Sequence, residues 1–261
     1  GCAGSGDGKR VVANGQFIGC DRSEDQSLKS GPPAACVAVV VMAREPAPGT
    51  VKTRLRPLLS DNDIADLYEG FLRDRIDQIR SLQETVTAIA FTPPESRAFF
   101  AELAPDCLLL PQTGDGLSAR LIGIVGRLLK MGHRGVIATD SDSPTLPTQR
   151  LQEAVEQLTT AAADVALGPC DDGGYYLIGM RRLYSELFDG IPWSTPQVYD
   201  ETLKRAADSG LRVVSLPAWY DVDTPAEFER LGTELAALGA SAPRHTRRFF
   251  AQRRLIASEP G

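Results

Sequence analysis

Cys36-Val37-Ala38-Val39-Val40-Val41-Met42 is an unbroken apolar run rich in β-branched residues. With no polar residue alternating through it, the run predicts a strand buried on both faces of a parallel sheet. Ile64, Leu67, Tyr68, Phe71, Leu72, Ile76 and Ile79 then recur at three- and four-residue spacing. That period predicts a helix ending near Ser81, with Asp61 or Asp63 as its cap. The pattern goes on as a strand over 85–91, a short helix over 95–104, a strand over 107–110, a helix over 116–131 and a strand over 135–139. Leu117, Leu121, Ile124, Val125 and Leu128 mark the apolar face of the 116–131 helix. The second half gives a helix over 148–158, strands over 164–167 and 174–180, a helix over 196–209, a strand over 211–216 and a helix over 225–238.

Strands alternating with helices of this length predict an α/β fold, with three α/β/α layers around a mostly parallel central sheet. No linker divides 36–240, which is expected to be one domain. Residues 1–35 are rich in Gly, Ser and Asp and lack sustained periodicity, so they are expected to form a poorly ordered extension. Residues 241–261 form a basic tail, with Arg244, Arg247, Arg248, Arg253 and Arg254 around Phe249 and Phe250. It is expected to pack as a short helix, to serve as an interface, or to fray.

Composition narrows the chemistry. The 261 residues carry 28 Lys and Arg against 34 Asp and Glu, a formal charge of −6, which argues against a nucleic-acid partner. The apolar runs fall far short of the roughly 20 residues a membrane helix needs, so no span is expected. Five cysteines, Cys2, Cys20, Cys36, Cys107 and Cys170, form no CxxC pair, which suits reduced thiols and a cytoplasmic location. With His133 and His245 the only histidines, catalysis falls to carboxylates, lysine and arginine.

In an open α/β sheet, ligands bind beyond the carboxyl ends of the strands, so the loops there are the places to search. The loop after the first strand contains Arg44, Gly49, Lys52 and Arg54. Its Gly-Thr-Val-Lys-Thr end resembles a P-loop only superficially, because the first glycine is missing and two prolines remove amide donors. It reads either as a solvated basic turn or as a loop that sets cations on nucleotide phosphates. After the 135–139 strand come Asp140 and Asp142, and after Tyr220 come Asp221 and Asp223. Each pair can offer oxygens to a hard divalent cation such as Mg2+ or Mn2+. Each also fits a helix start, since Pro144 follows the first pair, and Thr224, Pro225 and Glu227 follow the second. Without a cation, clustered carboxylates repel and raise one another's pKa, so replacing one by its amide is expected to leave the apo fold intact or stabilise it. A third loop, with Asp171, Asp172, Gly173, Gly174 and Tyr175, reads as a hairpin turn, as a substrate-binding turn, or as both.

Taken in order, VVVMAREPAPGTVKTRL (39–55), Gln112 with GDGLSAR (114–120), DSDSPTLP (140–147), GPCDDGGYYLIGM (168–180), PWSTPQV (192–198) and DVDTPAE (221–227) resemble the radical-SAM/selenodomain-associated transferase 1 family. That family belongs to the nucleotide-diphospho-sugar transferase (GT-A-like) superfamily and is similar to phospholactate guanylyltransferases. The resemblance covers roughly 37–235. It implies a Rossmann-like GT-A fold, nucleotide at the first loop with Gln112 contributing, and a divalent metal near Asp142 and Asp223. The family often has Gly where this chain has Asp140, so the metal role passes to Asp142 first.

The leading expectation is a metal-dependent nucleotidyltransferase that moves an NMP group from an NTP to a small phosphorylated acceptor. Lys52, Asp142 and Asp223 are its catalytic candidates. The alternatives are a glycosyltransferase using an NDP-sugar, with Asp171 or Asp172 on the acceptor, and a non-catalytic nucleotide-binding subunit.

Overall fold

The computed structural model describes residues 36–256, so the proposed 1–35 extension lies outside the described residues. The elements run β1 (Val37–Arg44), α1 (Asp61–Arg80), β2 (Thr85–Thr92), α2 (Arg97–Leu103), β3 (Leu108–Pro111), α3 (Gly116–Lys130) and β4 (Gly135–Thr139). They continue with α4 (Thr148–Thr159), β5 (Val165–Pro169), β6 (Tyr175–Met180), α5 (Val198–Asp208), β7 (Val213–Ser215), α6 (Pro225–Leu238) and α7 (Arg244–Gln252). The strands form one seven-stranded sheet in the order β3-β2-β1-β4-β6-β5-β7. All pairs are parallel except those of β6, which runs antiparallel to both β4 and β5.

The unbroken apolar run of β1 is explained by its two faces. Val37, Val39 and Val41 enter one core with Phe71 of α1, Leu151 of α4 and Leu231 of α6. Ala38 and Val40 enter the other, with Leu121 and Val125 of α3 and Ala206 of α5. Helices therefore cover both sides of the sheet, giving the expected three layers. From β1 the chain steps outward to β2 and β3, then returns to β4 on the other side of β1. This reversal opens a crevice above the carboxyl ends of β1 and β4, where Val41 is in register with Thr139.

Two boundaries differ from the sequence pattern. The cap of α1 is Ser60, whose Oγ accepts the Asp63 N–H at 3.1 Å. Asp61 already lies in the first turn and binds Arg56 at 2.8 Å instead. The tail after 240 is also not separate from the fold, because α7 packs on α1. The buried Asp74 carboxylate of α1 accepts the N–H groups of His245 and Thr246 at 2.9 and 2.7 Å and the Thr246 hydroxyl at 2.6 Å. It thereby caps the exposed amides of α7 from outside that helix. Phe249 and Phe250 are buried, and Phe250 stacks on Phe228 with centroids 4.8 Å apart. Burial of that kind stabilises by roughly 1.5–3 kcal/mol per ring. No helix among the described residues is long and apolar enough to cross a membrane.

Candidate functional site

The loop after β1 folds on itself. The Ala47 carbonyl accepts the Thr50 N–H and hydroxyl at 3.1 and 2.8 Å, and buried Val51 and Leu55 anchor its far end. Gly49 sits in this turn with φ +77°. Lys52 adopts a left-handed backbone with φ 45° and ψ 37°, uncommon for a residue with a Cβ. Its side chain is only 4% exposed. Nζ lies 2.5 Å from Asp223 Oδ1 and 3.1 Å from Asp142 Oδ1. Burial alone would lower the pKa of this ammonium, but the charges and hydrogen bonds of Asp142 and Asp223 outweigh it and hold the group above the ordinary lysine value.

Each carboxylate is held by its surroundings. Asp142 lies between the buried hydroxyls Ser141 and Ser143, and its carbonyl accepts the Val222 N–H at 2.9 Å, which ties the two acidic loops together. Ser141 Oγ is 2.9 Å from the buried Tyr68 hydroxyl, which also accepts the Arg44 N–H at 3.2 Å. Burial, then the nearby Asp142, pushes the Tyr68 phenol up to about 12. Glu227 accepts the N–H groups of Asp223 and Thr224 at 3.1 and 2.5 Å. The start of α6 is therefore a capping box, and the same contact positions Asp223, so the structural and functional readings of this loop coexist.

The other candidates separate. Asp140 does not join the open pair: its Oδ1 accepts from the buried Arg75 at 3.0 Å and its Oδ2 accepts the Ser143 hydroxyl at 2.5 Å. Asp221 lies close to Asp172 and Cys170, with one ligand atom from each of the three within 4.8 Å of the others. Burial first, then Asp223, pushes its carboxyl up to about 7. Burial also raises the Cys170 thiol well above its ordinary value, so it stays protonated. Asp172 closes its own turn on the Gly174 N–H at 2.8 Å, while Asp171 pairs with Arg230 of α6 at 3.2 Å. Gly173 has φ +88°, and a Cβ there would meet the Pro196 carbonyl at 2.2 Å. Tyr175 turns its ring edge-on to Trp193, with centroids 6.0 Å apart, in the second core.

Arg44, Lys52, Tyr68, Gln112, Asp142 and Asp223 line a cleft of about 320 Å3 over the crevice. Gln112, just past β3, ties in the ends of β1 and β2: its Nε2 donates to the Ala43 and Ala90 carbonyls at 3.1 and 2.7 Å, and its backbone N–H donates to the Phe91 carbonyl at 2.8 Å. Leu117, expected on the buried face of α3, is 39% exposed and also lines the cleft, because the first turn of that helix overhangs the strand ends. Arg54 is exposed and, like Gly49, is not part of the lining. A larger cavity of about 700 Å3 lies beside Thr145, Trp219 and Glu234. Its charged residues are already engaged within the fold: Glu234 by Thr145, Tyr220 and Arg230, Asp74 by the start of α7, and Asp77 by Arg80 and Arg244. His133, just after α3, is buried, and that burial lowers its pKa, which works against a charged ring at the helix end.

Tyr68, on the apolar face of α1, and Ser141, between two acidic residues, join the site without having been candidates from the sequence. Nothing in the helical period of Tyr68 signals that its hydroxyl reaches a loop, whereas Ser141 stood between two flagged carboxylates.

Two carboxylates converging on one cationic centre form an all-oxygen donor pair of the kind a hard divalent ion prefers. The Lys52 ammonium stands in for such an ion, and by that criterion the residues fit a metal.

The sheet and its layers are those of the nucleotide-diphospho-sugar transferase fold. A protein of Desulfovibrio desulfuricans G20, described provisionally as a nucleotide-diphospho-sugar transferase, superposes with a TM-score of 0.75 at 28% identity, over 85% of this chain and 99% of that one. CMP:2-keto-3-deoxy-manno-octonic acid synthetase, solved with CTP, superposes at 0.52 with 16% identity, over 77% and 99% of the two chains. A 4-diphosphocytidyl-2C-methyl-D-erythritol synthase does so at 0.51 with 11% identity, over 74% and 94%. In sequence, residues 75–195 match the family DUF2064, described as an uncharacterized protein conserved in bacteria. No curated protein matches the chain significantly.

Proposed function

We propose that the protein is a transferase, specifically a metal-dependent nucleotidyltransferase that moves an NMP group from an NTP to a small phosphorylated acceptor. The observation that carries this reading is the Lys52 ammonium held between Asp142 and Asp223 at the mouth of the β1/β4 crevice. One cleft thus offers both what binds a divalent ion and what binds phosphate. An acceptor phosphate oxygen attacks the α-phosphorus, the bond to the β-phosphate bridge breaks, and pyrophosphate leaves. Lys52 and Arg44 stabilise charge on the phosphate oxygens, and the rigid strand ends under Gln112 fix the nucleotide in place. Asp142 and Asp223 would hold Mg2+ or Mn2+, which when bound neutralises charge on the phosphates and orients them. The synthetase solved with CTP and the D. desulfuricans protein agree with this reading in class.

A second reading, glycosyl transfer from an NDP-sugar, draws on Asp172, which lies with Asp221 and Cys170 so that one ligand atom from each is within 4.8 Å of the others, an acidic cluster able to contact a hydroxyl acceptor or take its proton.

Thermal shift with a panel of NTPs and NDP-sugars, each with and without Mg2+ or Mn2+, separates the two, because a ligand that binds only the native state raises Tm according to its affinity. A metal-dependent shift confined to an NTP supports nucleotidyl transfer, and one confined to an NDP-sugar supports glycosyl transfer. No shift with any nucleotide refutes both.

A further inference from the structure

We infer that Lys52 is a built-in counter-ion that blocks the carboxylate pair against free metal, so that the divalent ion enters together with a polyphosphate and not alone. This rests on the metal-dependent reading above and specifies the form in which the donor is taken, as a metal–nucleoside polyphosphate complex. Nζ lies within hydrogen-bonding distance of one oxygen on each carboxylate, and its side chain is 4% exposed. A divalent ion on the same two oxygens would collide with this ammonium, and one on the other oxygen of each carboxylate would stand close to a buried positive charge that repels it.

A bare metal ion therefore either binds against this repulsion or displaces Lys52, and a displaced ammonium loses both hydrogen-bonded partners. The lysine stem is flexible enough to swing away, but a bare metal ion brings nothing to replace those partners. A polyphosphate does: it offers anionic oxygens to Lys52 in the same cleft, beside Arg44. Metal and polyphosphate then each favour the other's binding, and by linkage the coupling is reciprocal. The pinned loop supports such an exchange, since Asp142 and Asp223 are held through Val222 and Glu227 and need not move when Lys52 does.

The test measures Mn2+ binding to the full chain by electron paramagnetic resonance, with and without inorganic tripolyphosphate, after correction for Mn2+ complexed in solution. Wild type is compared with Lys52→Met and with Lys52→Gln, which keeps hydrogen-bond donors beside the carboxylates and serves if the methionine variant does not fold. Both variants should bind bare Mn2+ at least tenfold more tightly than wild type. Tripolyphosphate should raise the Mn2+ affinity of wild type at least tenfold and that of the variants much less. Bare-Mn2+ affinity in the variants equal to or weaker than that of wild type overturns the inference while leaving the metal-dependent reading in place. Absence of Mn2+ binding to wild type even with tripolyphosphate overturns both.

Discussion

Arg75, buried in the middle of α1, donates to Asp140 at 3.0 Å and to the Ser143 carbonyl at 2.8 Å, so a helix on one face of the sheet clamps the acidic loop after β4. The Arg75 side chain is 1% exposed and that of Asp140 18%. Removing one member leaves the other charged and buried. Arg75→Met should therefore lower unfolding free energy by about 3–5 kcal/mol, read from urea denaturation. Adding Asp140→Asn should recover part of the loss, because no carboxylate then lacks its partner. A single variant as stable as wild type would show that the clamp contributes nothing.

Asp142→Asn and Asp223→Asn should each weaken metal-dependent nucleotide binding. The structure reverses the expected effect on the apo protein. Lys52 already supplies the cation that the carboxylates need, so losing one of them should destabilise the chain instead of relieving repulsion. The carboxylates are 34% and 41% exposed, and solvent screening limits the loss to roughly 1 kcal/mol each. Calorimetric melting without metal checks the sign.

The phosphate-binding prediction divides the three cations of the first loop. Lys52→Ala and Arg44→Ala should weaken binding of a triphosphate more than binding of the bare nucleoside, because both residues line the cleft and their proposed partners are phosphate oxygens. Arg54→Ala, outside the lining, should change neither by more than about twofold, an effect within the ±0.5 kcal/mol usual for surface substitutions. Titration calorimetry with matched nucleoside and nucleotide decides.

Asp164, just before β5, accepts the backbone N–H and the guanidinium of Arg212 at 2.8–3.1 Å. These hydrogen bonds hold its carboxyl down to about 2. The folded pKa is lower than the unfolded one, so the contribution is present at neutral pH and is lost as pH falls from about 4 toward 2. Asp164→Ala should melt below wild type at pH 7, and the gap should close over that acid window. A gap that persists at pH 2 would assign the effect to packing.

Gly173→Ala combines a left-handed φ with a Cβ directed into the Pro196 carbonyl. Because the obstacle is backbone, the turn beside Asp172 has to shift, at a cost of about 1–3 kcal/mol. A variant that melts like wild type and binds nucleotide unchanged would mean the 170–174 turn adapts freely.

Much of the architecture was legible in the order of residues. Apolar periodicity is a local property, so the run at 36–42 announced a strand covered on both faces. The three- and four-residue spacing from Ile64 to Ile79 announced α1 almost to its last residue. The rule that ligands gather at strand ends directed attention to Lys52, Asp142 and Asp223. Tertiary structure alone decided which loops meet. The spacing of Asp140 and Asp142 does not tell them apart, and the family resemblance only ranked Asp142 first; the packing of α1 under the loop gives Arg75 to Asp140, and the fold of the loop after β1 gives Lys52 to Asp142. The antiparallel insertion of β6 between β4 and β5 leaves no mark on periodicity, because a strand buried on both faces reads alike in either direction. For the tail beyond 240 the sequence left a short helix, an interface and fraying all open, and Asp74, distant in sequence, decides for the packed helix by supplying the cap for α7. Local pattern specifies which residues face a core. Strand order and register, set by contacts between distant segments, specify which charges face one another.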